Sequence, residues 1–239
     1  MESIDVKPRQ FYGTNISDLN TSELTGKLIV VEGADGSGRS TQISKLRDWL
    51  ERIGYAIEEV GLSRSTLVAE DLDHAKEGHT LCPTTLSLFY ATDFADQLEN
   101  KIIPALRSGF VVLADRYIYS LMARAIVRGV DRDWIEDVYK IALVPDVVFY
   151  LDVTPKALAE RNFRKNTILD YWEAGMDIRQ SGDMYDCFIH YQRQMQKVFK
   201  EMQGSYGFQI INGNRTPGSI LQELQAKIEH TINWKGPKI

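Results

Sequence analysis

The sequence predicts an α/β fold, a doubly wound parallel sheet of about five strands covered on both faces by helices. Three observations point there. Short apolar runs rich in Val, Ile and Leu alternate with longer stretches whose apolar residues recur every three or four positions. A glycine-rich run, GADGSGRST from Gly33 to Thr41, joins the first apolar run to the first amphipathic stretch. No internal repeat or linker divides the chain from Lys27 to His230.

The elements follow in order. KLIVVEG, AIEEVGL, FVVLAD, DVVFYLDV and GFQIIN read as strands, because each is a short run bounded by turn residues or charges. TQISKLRDWLERI, LSLFYATDFADQLENKIIPAL, DWIEDVYKIAL, DMYDCFIHYQRQMQKVFKEM and SILQELQAKIEHTI read as helices with one apolar stripe facing the sheet. Residues 1–26 form an extension with Phe11 and Tyr12 as its tethers, 27–232 the domain and 233–239 a tail. In such sheets ligands bind beyond the carboxyl ends of the strands. The glycine run, Asp115-Arg116 and Asp152 all fall at such ends.

Composition narrows the function. A chain of 239 residues with 44% hydrophobic side chains suits one domain with a sizeable core. Its net charge of -5 argues against a nucleic acid polymer as partner, while leaving room for a local cationic pocket. Two distant cysteines, Cys82 and Cys187, match neither a disulfide framework nor a zinc site and favour the cytoplasm. No apolar signal core or membrane-spanning run is present, so the reading is of a soluble protein without a membrane partner. His74, His79, His190 and His230 lack metal-ligand spacing.

The glycine run fits the phosphate-binding pattern G-x-x-x-x-G-K-[ST], except that Arg39 holds the lysine position. Gly33, Gly36 and Gly38, with Ser37 between the last two, let backbone amides and the helix start hold an anion. Ser40 offers a hydroxyl to a magnesium ion shared with the phosphates, and Thr41 supports the same helix start. The plain alternative is a glycine turn capped by Ser40. Arg39 keeps the charge of lysine but presents a planar fork that needs more room, so rate is more exposed to the change than affinity.

Three further segments accompany the loop: Asp115-Arg116-Tyr117, RGVDRDW at Arg128 to Trp134, and VPDVVFYLDVTPKALAER at Val144 to Arg161. With the loop, their order and spacing resemble the thymidylate kinase family over most of the chain. The resemblance implies a P-loop nucleoside monophosphate kinase fold with a lid segment, here at about 162–182. It also implies ATP and Mg2+ at the glycine loop, a nucleoside monophosphate facing them, and a homodimer. On matching positions, Asp35 lies near the acceptor sugar and transferred phosphate, Asp115 belongs to the metal shell with Ser40, and Arg116 grips the acceptor's phosphate. A structural ion pair between Asp115 and Arg116 is the plain alternative.

The chain also departs from the family. A TREPG-like segment is replaced by EEVGLSRST, where only Arg64 supplies a cation for the substrate. An A-D-R sequence becomes Thr92-Asp93-Phe94, and an AYQG-like segment becomes ARAI, Ala123 to Ile126, which puts Arg124 at the substrate. Phe89 is either a base-stacking ring or core. In the lid, Arg161 and Arg164 are the candidate catalytic cations, with Lys165 and Arg179 nearby, or else a solvated helix end. The family's D-R-x-E sequence reads LDYWEAGMD, with Tyr171 in place of arginine, and Gly175 and Gly182 suggest a longer segment.

The leading function is transfer of the terminal phosphoryl group of ATP to dTMP or a related deoxynucleoside monophosphate, with Arg39, Asp35, Arg116, Arg161 and Arg164 as the catalytic set. DRYIYS also resembles the ERSxYS-like motif of deoxynucleoside kinases, which makes a nucleoside acceptor the nearest rival. A non-catalytic nucleotide-binding regulator of the same fold is the rival from another class, motivated by Arg39 and the altered base-reading positions.

Overall fold

The structure is a computed structural model that describes residues 8–13, 15, 19–77, 81–165, 169, 171–178 and 183–232. Five strands, β1 (Lys27–Glu32), β2 (Ile57–Gly61), β3 (Val111–Asp115), β4 (Val147–Asp152) and β5 (Gln209–Asn212), form one sheet in the order β2-β3-β1-β4-β5. Every pairing is parallel. The connections are therefore helical crossovers, as a parallel sheet requires. The central strand β1 lies between β3 and β4, and the order reverses there, so both neighbouring crevices open at its carboxyl end.

Nine α-helices are described: α1 (Arg39–Arg52), α2 (Ala69–Glu77), α3 (Pro83–Gln97), α4 (Ile103–Arg107), α5 (Ile118–Val127), α6 (Arg132–Val138), α7 (Pro155–Lys165), α8 (Met184–Tyr206) and α9 (Pro217–Thr231). The side chains of β1 alternate between two cores. Leu28 and Val30 join one packed against α3, α5 and α8, and Ile29 and Val31 join the other, against α1 and α9. All four are fully buried, which is why this strand reads as an unbroken apolar run.

Two elements differ from the sequence reading. LSLFYATDFADQLENKIIPAL is not one helix: α3 passes through a π turn, Leu98–Ile102, into the short α4. Pro104 has no N–H and cannot continue an ordinary helical ladder, and the π turn accommodates it. The helix α2 is short and largely polar, with Leu72 its one buried residue, so it carries little periodic signal. Gly182, Arg179, His79 and residues 233–239 lie outside the described residues. Cys82 is exposed and Cys187 is buried. Among the described residues no helix is long and apolar enough to cross a membrane.

The described part of the extension packs on the domain. Phe11 bridges Leu143 in antiparallel fashion, Tyr12 N donates to Ala142 O at 2.9 Å, and the Tyr12 and Tyr119 hydroxyls are 2.6 Å apart. Arg9 pairs with Asp146, which also accepts from Leu28 N at 2.8 Å and Lys27 Nζ at 3.1 Å. Asp146 thus fixes the start of β1 to that of β4. Removing one partner of this partly buried pair leaves a poorly compensated charge, so Asp146→Ala is expected to lower unfolding free energy by about 2 kcal/mol, measured by urea denaturation.

Glu32, the last residue of β1, is fully buried. Its carboxylate accepts from Tyr117 N at 2.9 Å, Ser120 N at 3.2 Å and Ser120 Oγ. It acts as a long-range N-cap for α5, satisfying amides that a helix start leaves unpaired. Burial raises its pKa above the ordinary 4.5, against the lowering effect of these hydrogen bonds and of Arg39. A raised folded-state pKa means stability is fully present below the unfolded pKa and is lost as pH rises through the folded one. Glu32→Gln keeps the shape and removes the titration. The stability of Glu32→Gln relative to the native protein is therefore expected to rise as pH passes the ordinary glutamate pKa and to level off above the raised one, by about 1.4 kcal/mol in total per unit of raised pKa, in a urea series.

Candidate active site

The glycine loop leaves β1 and turns into α1. Gly33, Gly36 and Gly38 take φ of 151°, 83° and 90°, where side chains are strained. A Cβ on Gly36 would also come within 2.7 Å of Asn162 Nδ2, so the loop sits tightly under α7. Asn162 Nδ2 donates to Asp35 O at 3.0 Å, and Arg161 Nη1 donates to Gly36 O and Ser37 O at 3.3 Å. Ser37 Oγ is buried and has no hydrogen-bond partner among the described residues. A cleft of about 550 Å³ opens beside the loop and is lined by Gly38, Ser40, Thr41 and Arg161.

Arg39 borders this cleft, but its guanidinium turns inward. Nε donates to Asp115, Nη1 to Gly33 O and to Ala34 O at 3.3 Å, and Nη2 to Asp35 at 3.4 Å. Only 5% of the residue is exposed. Burial opposes its charge, yet Asp115 and Asp35 hold its pKa above the ordinary arginine value. Ser40 Oγ donates to the other Asp115 oxygen at 3.4 Å, and Arg64 approaches that oxygen at 3.7 Å. Arg64 gets there because buried Asp93 accepts from Ser63 N at 3.0 Å and Ser65 N at 2.8 Å, fixing the loop after β2. No group of three His, Cys, Asp or Glu side chains converges among the described residues. Ser40 and Asp115 instead offer two hard oxygens at the helix start, a donor set that suits a magnesium ion carried with phosphate oxygens of its own.

The facing side belongs to β3 and α5. Arg116 adopts φ of 71°, left-handed for a residue with a side chain, held by its own N–H on Val31 O at 3.0 Å and by Glu32 beneath the next amide. Its guanidinium pairs with Asp35 and lies 3.8 Å from Glu173. Arg124, two turns further along, pairs with the same Glu173 oxygen. Glu173 is hydrogen-bonded to Asp35 as well. Burial raises the Asp35 pKa, but Arg116, Glu173, Arg39 and Arg124 together hold it well below the usual carboxylate range. Burial and the neighbouring Asp35 charge keep Glu173 above its range although Arg124 opposes them. Of the two, Glu173 is thus the more readily protonated carboxyl, the one placed to donate to Asp35 when it carries a proton.

Glu173 is the functional residue that sequence reading missed. The acid of the D-R-x-E pattern survives in LDYWEAGMD although the arginine does not, and that was the available signal. Its segment is pinned by Arg128, which pairs with Asp177 at 2.6 Å, donates to Tyr191 OH at 2.8 Å and lies over the Trp172 and Tyr191 rings at 5.6 and 5.1 Å. Arg116, Arg124, Ala34 and Glu173 line one small cavity, and Tyr90, Ser87, Arg124 and Trp172 line a second. Phe89 is absent from that lining and packs against the main core, because one step along α3 turns a side chain by roughly 100°. Phe94 stacks edge-on against Tyr117 and Tyr139 at 5.1 and 5.7 Å. Arg164 is exposed on α7.

The geometry thus brings together Gly33, Asp35, Gly36, Ser37, Gly38, Arg39, Ser40, Thr41, Arg64, Asp115, Arg116, Arg124 and Arg161, and leaves Phe89 and Arg164 apart. Comparison with known proteins agrees in kind. Residues 31–223 match the family model described as thymidylate kinase. The chain is 38% identical over 212 residues to a probable thymidylate kinase 2 of Saccharolobus solfataricus, covering 87% of this chain and 96% of that one. It is 34% identical over 217 residues to a probable thymidylate kinase of Thermococcus gammatolerans, with 87% and 98% covered, and 27% identical over 218 residues to one of Pyrococcus horikoshii, with the same shares. With a phosphate loop and an arginine-lined cavity on either side of Asp35 and a family match across most of its length, the chain belongs to the thymidylate kinase family.

Proposed function

We propose that the protein transfers the terminal phosphoryl group of ATP to dTMP, giving ADP and dTDP. The observation that carries this reading is that the cleft beside the glycine loop and the arginine-lined cavity share Ala34 and Glu173 as a common wall. Two anionic substrates bound on either side would meet there, and in-line transfer needs little beyond such placement and charge stabilisation.

In this mechanism the amides of Gly33 to Thr41 hold the ATP phosphates. Ser40 and Asp115 would hold Mg2+, which supplies charge neutralisation at the phosphates when bound. Arg116 and Arg124 clamp the acceptor's phosphate, displacing the Glu173 carboxyl from between them. An acceptor phosphate oxygen forms a bond to the terminal phosphorus while the bond to the bridging oxygen breaks, its electrons leaving with ADP. No general base is required, because a phosphate monoester is already anionic near neutral pH. Arg161 from α7, which borders the cleft, serves as the lid cation as charge develops, while Arg164, exposed further along the same helix, stays outside this set. Arg64 steadies Asp115, and Tyr90, beside the predicted Phe89, faces the acceptor base.

The two cavities on the acceptor side each hold only about 20 Å³, room for a water molecule and not for a base. Acceptor entry therefore requires residues 171–178 to move outward and settle again, and their return excludes water from the phosphoryl group. The enzyme is read as a cytoplasmic homodimer acting on small nucleotides, without a nucleic acid polymer or a membrane; the net charge of -5 supports the first exclusion.

One observation favours a second reading, a nucleotide-binding regulator without turnover: the Arg39 guanidinium is engaged by protein acceptors. Measuring ADP release with ATP, Mg2+ and either dTMP or thymidine separates the cases. Strong stimulation by dTMP and little by thymidine is expected, since two arginines facing the cavity suit a charged acceptor. Arg116→Ala should then lower kcat/KM by at least about 100-fold, near 2.7 kcal/mol. Saturable ATP binding without turnover on any acceptor would establish the regulator, and unchanged activity in Arg116→Ala would remove that residue from the mechanism.

A further inference from the structure

Resting on the kinase reading, we propose that Arg39 is a positioning residue, tying Asp35, Asp115 and two loop carbonyls into one frame, and is not a ligand of the transferred phosphate. In the motif this position is a lysine aimed at phosphate. Here three different nitrogens of the guanidinium reach four protein acceptors: Asp115, Gly33 O, Ala34 O and Asp35. An ammonium has a single nitrogen and cannot span that set.

The consequences reach both substrates. A planar trans peptide points its N–H opposite to its C=O. Drawing the carbonyls of Gly33 and Ala34 toward Arg39 therefore turns the amides of Ala34 and Asp35 the other way, as an anion-binding loop requires. Through Asp35 the same guanidinium is linked to Arg116, and through Asp115 to Ser40 and Arg64. Its charge is already balanced by two carboxylates, so it adds little field at a bound triphosphate. Among the described residues, Arg161, held by the neutral carbonyls of Gly36, Ser37 and Gly213 and bordering the cleft, is the cation that remains to face the donor phosphates.

The test uses Arg39→Lys and Arg39→Met in the full chain, with ATP affinity read by displacement of a fluorescent ATP analogue and turnover read with dTMP. As a positioning residue, Arg39 is missed equally with either side chain, so the ATP Kd values of the two variants stay within about threefold of each other, while kcat falls at least about tenfold in the lysine variant and about 100-fold in the methionine variant. KM for dTMP rises in both, because Asp35 no longer holds Arg116 in register. Arg39→Ala should regain at least about tenfold in kcat with added ethylguanidinium and not with ethylammonium, a rescue that depends on the fork. Lysine restoring or exceeding native turnover, or methionine weakening ATP binding tenfold or more while lysine preserves it, would make Arg39 a phosphate ligand and overturn the proposal. The ATP-binding arm needs no acceptor, so it decides the role of Arg39 even if native protein fails to phosphorylate dTMP, an outcome that would sink the kinase reading alone.

Discussion

A buried carboxylate at the end of the central strand organises the site. Glu32 binds the amides that open α5, so the middle of the sheet and the acceptor helix form one unit. Arg116 lies between them in a left-handed conformation that costs on the order of 1 kcal/mol or more and persists because both flanks are fixed. Arg124 and Arg128 follow along the same helix and its end, one toward Glu173 and the other toward Asp177. Moving the start of α5 would misplace all three cations together.

From that anchor the charges alternate: Asp115, Arg39, Asp35, Arg116, Glu173, Arg124. Such a chain satisfies buried ions only if every member keeps a partner, because the interior penalises an unpaired charge far more than water does. In the proposed mechanism the acceptor's phosphate takes the place of the Glu173 carboxyl between Arg116 and Arg124, so no bare cation cluster forms. Glu173 suits this exchange, since burial and the neighbouring Asp35 charge raise its pKa and make it the weakest-held anion of the series.

Much of this was legible in the sequence, and the failures have physical causes. All five strands were visible because a sheet covered on both faces demands continuous apolar runs, as Ile29 to Val31 illustrate. The glycine loop was visible because its φ values admit few other residues. Glu32 looked like an ordinary polar strand end, since nothing local reveals a partner 85 residues away. Phe89 and Tyr90 are both aromatic, and only the rotation of α3 decides which faces the cavity. Arg39 read as a phosphate cation because charge is written in the sequence, whereas the direction of a guanidinium depends on where Asp115 and Asp35 lie.

Trp172 has a consequence of another kind. Its indole borders the acceptor-side cavity and shares the Arg128 guanidinium with Tyr191. A positive charge close to an indole perturbs its excited state, and in the proposed mechanism the segment that carries Trp172 shifts as a nucleotide enters. Trp172 is therefore placed as a built-in optical probe: with Trp49, Trp134 and Trp234 replaced by phenylalanine, its emission alone would report a nucleotide entering, with no dye or label attached to the site.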